Sequence, residues 1–194
     1  MHPYSIDTEE RKYILLFLAI TSIVLSWGFY KLLDYYEITL PWWIESPSIL
    51  FFYGLFFVIF DKWAWKILKK IGLVKTPNFN GEWNGHLKSS FDKHSSGIKA
   101  TLQIFQTWTR IKIFLSTEHS ASHSESASII VNTPEGTYLN YLYINEPRAN
   151  ALNTMSIHRG TTRLLFIRNE NTLVGEYYSG RDRQMFGSLS FKRL

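Results

Sequence analysis

Hydrophobic positions follow two different rhythms along this chain, and the change falls near residue 77. Before it, apolar residues come in long unbroken runs. Residues 13–33, YILLFLAITSIVLSWGFYKLL, carry one charge, Lys31. At ~1.5 Å rise per residue such a run covers the ~30 Å hydrocarbon layer of a bilayer and predicts a spanning helix. A cleaved signal peptide is the rival reading, but no small-residue cleavage site follows and Trp27, Phe29 and Tyr30 stand where one would be. The second run is uncharged over residues 49–60, is interrupted by Asp61 and Lys62, and resumes as WAWKIL. Snorkelling lysines and a tilt extend it to a second span; a half-buried amphipathic helix is the alternative.

After Pro77 the rhythm becomes alternation, with turn residues recurring every ten or so positions. Strands are predicted over 81–89, 98–107, 109–117, 124–131, 137–144, 155–168 (open to a break at Gly160), 172–178 and 185–192. Eight antiparallel strands of this length favour closure, because closure removes exposed edges. The expected architecture is two N-terminal transmembrane helices (1–76) followed by an all-β domain (77–194), a compact eight-stranded antiparallel β-barrel. Its lumen would hold packed side chains or one small ligand.

Charge places these parts. Arg11 and Lys12 precede the first span, Lys31 sits alone in the connection, and Lys62, Lys66, Lys69, Lys70 and Lys75 follow. The positive-inside rule puts both termini and the β domain in the cytoplasm, with the protein multi-pass in its membrane. Trp42 and Trp43 in the connection, and Trp63 and Trp65 at the far end, read as aromatic belts. Ala19, Ser22 and Ser26 on one face of the first span, and Gly54 in the second, permit close helix contact in an oligomer. The β domain holds 13 Lys+Arg against 9 Asp+Glu, which suits an anionic ligand or membrane surface.

The chain has no cysteine, which excludes disulfides, thiolate metal sites and cysteine nucleophiles. No HExxH, Walker A loop, GxSxG or dinucleotide fingerprint is present, so neither catalytic residues nor a cofactor are expected. His119 and His123 in the Ser-rich stretch STEHSASHSESAS would bind a metal only if the backbone brought them together, and ordinary polar positions are the default. Trp83 in NGEWNGHL reads as a plug packing the barrel floor in preference to a ring that stacks on a ligand. The run YLNYLYINEP offers Tyr141 and Tyr143 as rings that can stack on bases, and Asn145 as an amide that can read base edges. Arg159, Arg163 and Arg181 are planar donors suited to phosphate.

The order of these features resembles a known family, the two-transmembrane, β-strand-rich effectors of bacterial CBASS anti-phage systems, also called CD-NTase-associated or SMODS-associated effectors. The resemblance rests on the two spans and basic exit, the opening GEWNGHL, the central YINEP followed by MSIHRGTTRL, and the closing LVGEYYSGRDRQMFGSLSF. It implies a cytoplasmic barrel that senses a cyclic dinucleotide from a partner CD-NTase. It further implies assembly of the membrane helices into a homo-oligomer, inner-membrane disruption and death of the infected cell. No DNA or RNA polymer is an expected partner. The six candidate ligand residues rest on side-chain chemistry rather than on the resemblance. Two further readings remain open: a membrane-tethered, lipocalin-like carrier of lipid or another small ligand, and a structural subunit of an envelope complex.

Overall fold

The computed structural model describes residues 1–39, 48–95, 97–180 and 184–194. Trp42, Trp43 and the candidate Arg181 lie outside them. The chain divides into two compact units, Thr8–Lys75 and a second made of Met1–Asp7 with Thr76–Leu194.

The first unit is helical. α1 (Glu10–Tyr35) is long and apolar enough to cross a membrane, and it is the one such helix among the described residues. Its two central hydroxyls are satisfied within the helix: Thr21 donates to the Phe17 carbonyl at 2.8 Å and Ser22 to that of Leu18 at 2.6 Å. That back-bonding removes the cost of carrying polar groups in an apolar setting. Leu18 and the fully buried Ser22 share the inner stripe, whereas Leu16, Phe17, Ile20, Ile23, Val24 and Trp27 point outward, as lipid contact would require.

The second apolar run is not one regular helix. α2 (Ile49–Ile59), N-capped by the Ser48 hydroxyl, passes through a π-helical turn at Phe60–Ala64 into α3 (Trp65–Lys70). The wide turn falls where Asp61 and Lys62 break the apolar sequence. Trp63 is 59% exposed but Trp65 is fully buried, so the pair does not act as one belt. Two residues along a helix point to nearly opposite sides.

The second unit is a closed barrel of nine strands rather than the expected eight. β1 (His2–Ile6) precedes the helices in sequence. β2 (Gly81–Ser89), β3 (Ile98–Gln106), β4 (Arg110–Thr117), β5 (Ser120–Thr133), β6 (Gly136–Pro147), β7 (His158–Ile167), β8 (Thr172–Ser179) and β9 (Phe186–Arg193) follow them. The order around the barrel is β1-β4-β3-β2-β9-β8-β7-β6-β5. Eight of these match the alternation reading, and β7 runs unbroken through Gly160. The ninth, β1, pairs antiparallel with β4 and parallel with β5, so the barrel is not wholly antiparallel. Its five residues join strands more than a hundred positions away, and alternation within the segment carries no trace of such a partner.

The lumen is filled at one end. Trp83, Leu102, Ile104, Ile113, Leu139, Leu164 and Phe191 are at most 2% exposed. Phe166 meets Phe79 and Trp83 edge-on, with ring centroids 5.4 and 6.0 Å apart. Trp83 donates its indole N–H to the Phe79 carbonyl at 3.0 Å, so the plug is both packed and hydrogen-bonded. Arg193 lies over the Trp83 ring at 5.1 Å and donates to the carbonyls of Asn78 and Asn80. Its partial burial lowers the guanidinium pKa. β1 ends and β2 begins at this floor end.

Candidate functional site

Toward the other end the same strands carry polar residues inward. Ser89, Ser120, Ser122, Asn145 and Thr162 are all buried, each in the inward phase of its strand. They surround a cavity of about 440 Å³, lined also by Tyr143, Tyr177, His119, His158, Met155, Leu87, Leu115 and Leu189. This is within the size range of small-ligand sites. The mouth is formed by the ends of β2, β4, β6 and β8 and the starts of β3, β5, β7 and β9.

Two glycines make room for its aromatic walls. Gly160 is in register with Tyr143, and a Cβ there would collide with the Tyr143 ring. Gly187 is in register with Tyr177 and spares that ring in the same way. Each tyrosine therefore lies across a neighbouring strand that offers no side chain. The Tyr143 ring stands 6.3 Å from that of Tyr141 and 6.5 Å, edge-on, from the His158 imidazole. His158 donates from Nδ1 to the Ser156 carbonyl at 2.9 Å, which leaves Nε2 the acceptor nitrogen of the neutral ring. Asn145 Nδ2 approaches Met155 Sδ at 3.2 Å. At the rim, Ser179 Oγ accepts from Met185 N at 2.8 Å, and Thr117 Oγ1 accepts from Ser120 N at 3.0 Å.

The six candidates separate. Tyr143 and Asn145 line the cavity. Tyr141 sits beneath it, 4% exposed, in the inward phase of β6. Burial pushes its phenol up to about 12, with the Thr162 hydroxyl acting in the opposite direction. Arg159 and Arg163 occupy the outward phase of β7 and do not reach the cavity, because alternation sends His158, Gly160, Thr162 and Leu164 inward. Arg159 pairs instead with Glu125 at 3.4 Å, and Arg163 lies over the Tyr138 ring at 4.1 Å. His119 lines the rim, whereas His123 is on the outer phase of β5, in register with Phe114 and Ile144. Among the described residues no group of three His, Asp or Glu is placed to hold a metal ion.

Tyr177, Thr162, Ser89 and Ser122 were not singled out from the sequence. A signal for three of them exists. Thr162 is two residues from Leu164, Ser89 two from Leu87, and Tyr177 four from Leu173, so carrying each strand's apolar phase to its end reaches them. Ser122 escapes that rule, because a bulge between Ser124 and Ser126 shifts the phase of β5.

The cavity's lining includes no lysine or arginine among the described residues; Asp92, His119 and His158 are its ionisable groups apart from the tyrosines. The arrangement supplies aromatic faces, hydroxyls and an amide, a set able to stack on a flat ring system and pair with its edges.

Comparison with known proteins assigns this architecture. Residues 74–193 match the family described as "Cap15, cyclic dinucleotide receptor domain", and residues 12–66 match "Cap15, TM helices". The chain is 31% identical over 137 residues to CD-NTase-associated protein 15 of Yersinia aleksiciae, covering 70% of this chain and 64% of that protein. It is 32% identical over 133 residues to the protein of the same name from Staphylococcus schleiferi, covering 68% of each. With both of its parts matched in order, the chain belongs to the Cap15 family of CBASS effectors, which joins a cyclic dinucleotide receptor domain to transmembrane helices.

Proposed function

We propose that the polar mouth of the barrel binds a cyclic dinucleotide made by a partner CD-NTase, and that binding drives the helices to associate and disrupt the bacterial inner membrane. The observation that carries this reading is the 440 Å³ cavity, built from Tyr143, Tyr177, Asn145 and a hydroxyl collar, inside the segment that matches a cyclic dinucleotide receptor. Tyr143 and Tyr177 supply stacking surfaces, Asn145 reads a base edge, and Thr162, Ser122 and His158 complete the polar contacts. Tyr141 supports the ring of Tyr143 from below. Arg181 remains a proposed phosphate contact, whereas Arg159 and Arg163, on the outer face, make no ligand contact in this reading.

In this reading α1 and the α2–α3 segment both span the membrane, and the termini and barrel lie in the cytoplasm. The basic residues flanking the apolar runs support that orientation. The outward apolar faces of α1 and α2 provide the surface on which copies meet in a homo-oligomer, in contact with lipid. The protein acts as a receptor and membrane disruptor, not as an enzyme, and its activation kills the infected cell. A lipocalin-like carrier would need a continuous apolar lining, which inward Ser89, Ser122, Asn145 and Thr162 interrupt.

The test is calorimetric binding of cyclic di-AMP, cyclic di-GMP and cyclic GMP–AMP to the full-length protein in detergent, paired with dye leakage from vesicles of phosphatidylethanolamine and phosphatidylglycerol. Saturable binding with nucleotide-dependent leakage is expected. Absence of binding across a panel widened to cyclic trinucleotides would overturn the reading.

A further inference from the structure

The strand that the sequence did not announce is also the one that continues into the first membrane helix. β1 ends at Ile6 and α1 begins at Glu10. β1 is held in a fork. β4 and β5 pair directly only near the mouth, at Phe114–His123, Leu115–Ser122 and Ser116–Ala121. Below that they part, and β1 fills the gap with two register pairs to β4 and three to β5.

Ser124 stands at the branch point. Its Oγ accepts the Ile113 N–H at 3.0 Å, and its carbonyl accepts from Lys112 Nζ at 2.8 Å. A side chain and an ammonium group thus take the place of ladder bonds between the two strands. The same Oγ meets His2 Nε2 at 2.7 Å, so the branch point also touches β1. Further along, Tyr4 donates to the Trp108 carbonyl at 2.7 Å and accepts from Gln106 Nε2 at 3.3 Å. The Asp7 carboxylate accepts from the Val131 and Asn132 amides at 2.7 and 3.0 Å.

The fork opens directly onto the ligand cavity, since Leu115 and Ser122, the middle pair of the short β4–β5 ladder, line it. We propose that β1 is a releasable latch: nucleotide in the mouth alters the β4–β5 fork, loosens β1 from its slot and frees the root of α1. This rests on the reading of the mouth as a nucleotide site, and it names how occupancy there reaches the membrane. A five-residue strand with one parallel edge and few ladder bonds is the part of a closed barrel that opens with least loss of pairing. For occupancy to matter, the nucleotide must bind better when β1 is loose, and coupling of this kind is reciprocal.

The chain has no cysteine, so a paired substitution at Ser5 and Ser128, which face each other in register on the outer phase, gives one defined disulfide. With Ser5→Cys and Ser128→Cys oxidised in the full-length protein, nucleotide-dependent vesicle leakage is lost. Affinity for the activating cyclic dinucleotide falls by roughly 5- to 100-fold, and reduction restores both. Equal leakage from the oxidised and reduced forms overturns the latch while leaving the nucleotide site intact. Failure of both forms to bind any member of the nucleotide panel overturns the site and the latch with it. Amide exchange on the unsubstituted protein provides a second measure independent of the disulfide. Residues 2–7 should exchange faster with nucleotide bound, and unchanged or slower exchange there overturns the proposal.

Discussion

The floor and the mouth of the barrel are made by the same strands, one reached from the other by following each inward phase along its length. At the floor, inward positions are Trp83, Leu102, Ile113 and Leu164, with exposure of 1% or less. At the mouth, the inward phase ends in Ser89, Thr117, Ser122, Asn145 and Ser179 around open space. The floor buys stability from dispersion and apolar burial; the mouth leaves hydrogen-bonding groups with room for a partner. Stability and recognition are thus separated along one axis rather than between domains, and substitutions should sort by depth.

The largest expected effect lies at the floor. Trp83→Ala removes a fully buried ring and its hydrogen bond to Phe79, and should cost about 3–5 kcal/mol of unfolding free energy. Denaturant unfolding of the full-length protein measures it. A loss below about 1 kcal/mol would show that the floor is loosely packed and break the comparison.

Tyr141 marks the border. Its phenol is held near 12 in the folded barrel against about 10 in an unfolded chain. The fold therefore binds that proton more tightly, its stabilisation is complete below pH ~10, and it is lost as pH rises from there through 12. The linkage amounts to as much as about 3 kcal/mol at the alkaline limit. Its hydroxyl has no hydrogen-bond partner of good geometry. Tyr141→Phe should therefore melt no lower than the parent at pH 8 and lose less stability than the parent between pH 9 and 11. Parallel alkaline limbs in the two proteins would place this hydroxyl in contact with water.

The sharpest test of the mouth comes from Tyr143→Ala. Loss of one stacking face should weaken cyclic dinucleotide binding by about 1–3 kcal/mol, read by calorimetry, while the melting temperature moves far less than for Trp83→Ala. Gly160→Ala should act in the same direction by displacing the Tyr143 ring. Arg163→Ala, on the outer face over Tyr138, provides the contrast and should leave affinity within about twofold, well under 1 kcal/mol. A larger loss at Arg163 than at Tyr143 would move the site to the outer surface.

Much of this architecture was legible because local patterns report local structure. The run of residues 13–33 is apolar enough to require a helix, and alternation from Gly81 onward located eight strands, with β2 at its observed limits and Trp83 as the plug. The candidate site was half legible. Tyr143 and Asn145 share the apolar phase of β6, so their inward direction follows from Leu139. The arginines were chosen by charge, and charge does not say which face of a strand a residue occupies.

Alternation along a strand determines that two faces exist, and apolar content identifies the inner one only where the lumen is dry. At the mouth the inner face is polar, the stretch SASHSES carries no hydrophobic marker, and the bulge after Ser124 resets its phase. Those directions were decided by strand pairing. So was β1: its place between β4 and β5 depends on hydrogen bonds that His2 and the accepting Asp7 carboxylate make with residues 122 to 125 positions away. Sequence alone determined the apolar helical runs and eight of the nine strands, because their causes lie within a few residues. Only the closed tertiary structure decided which polar side chains enclose the cavity and which strand ties the barrel to the membrane helix, because those depend on pairing across the length of the chain.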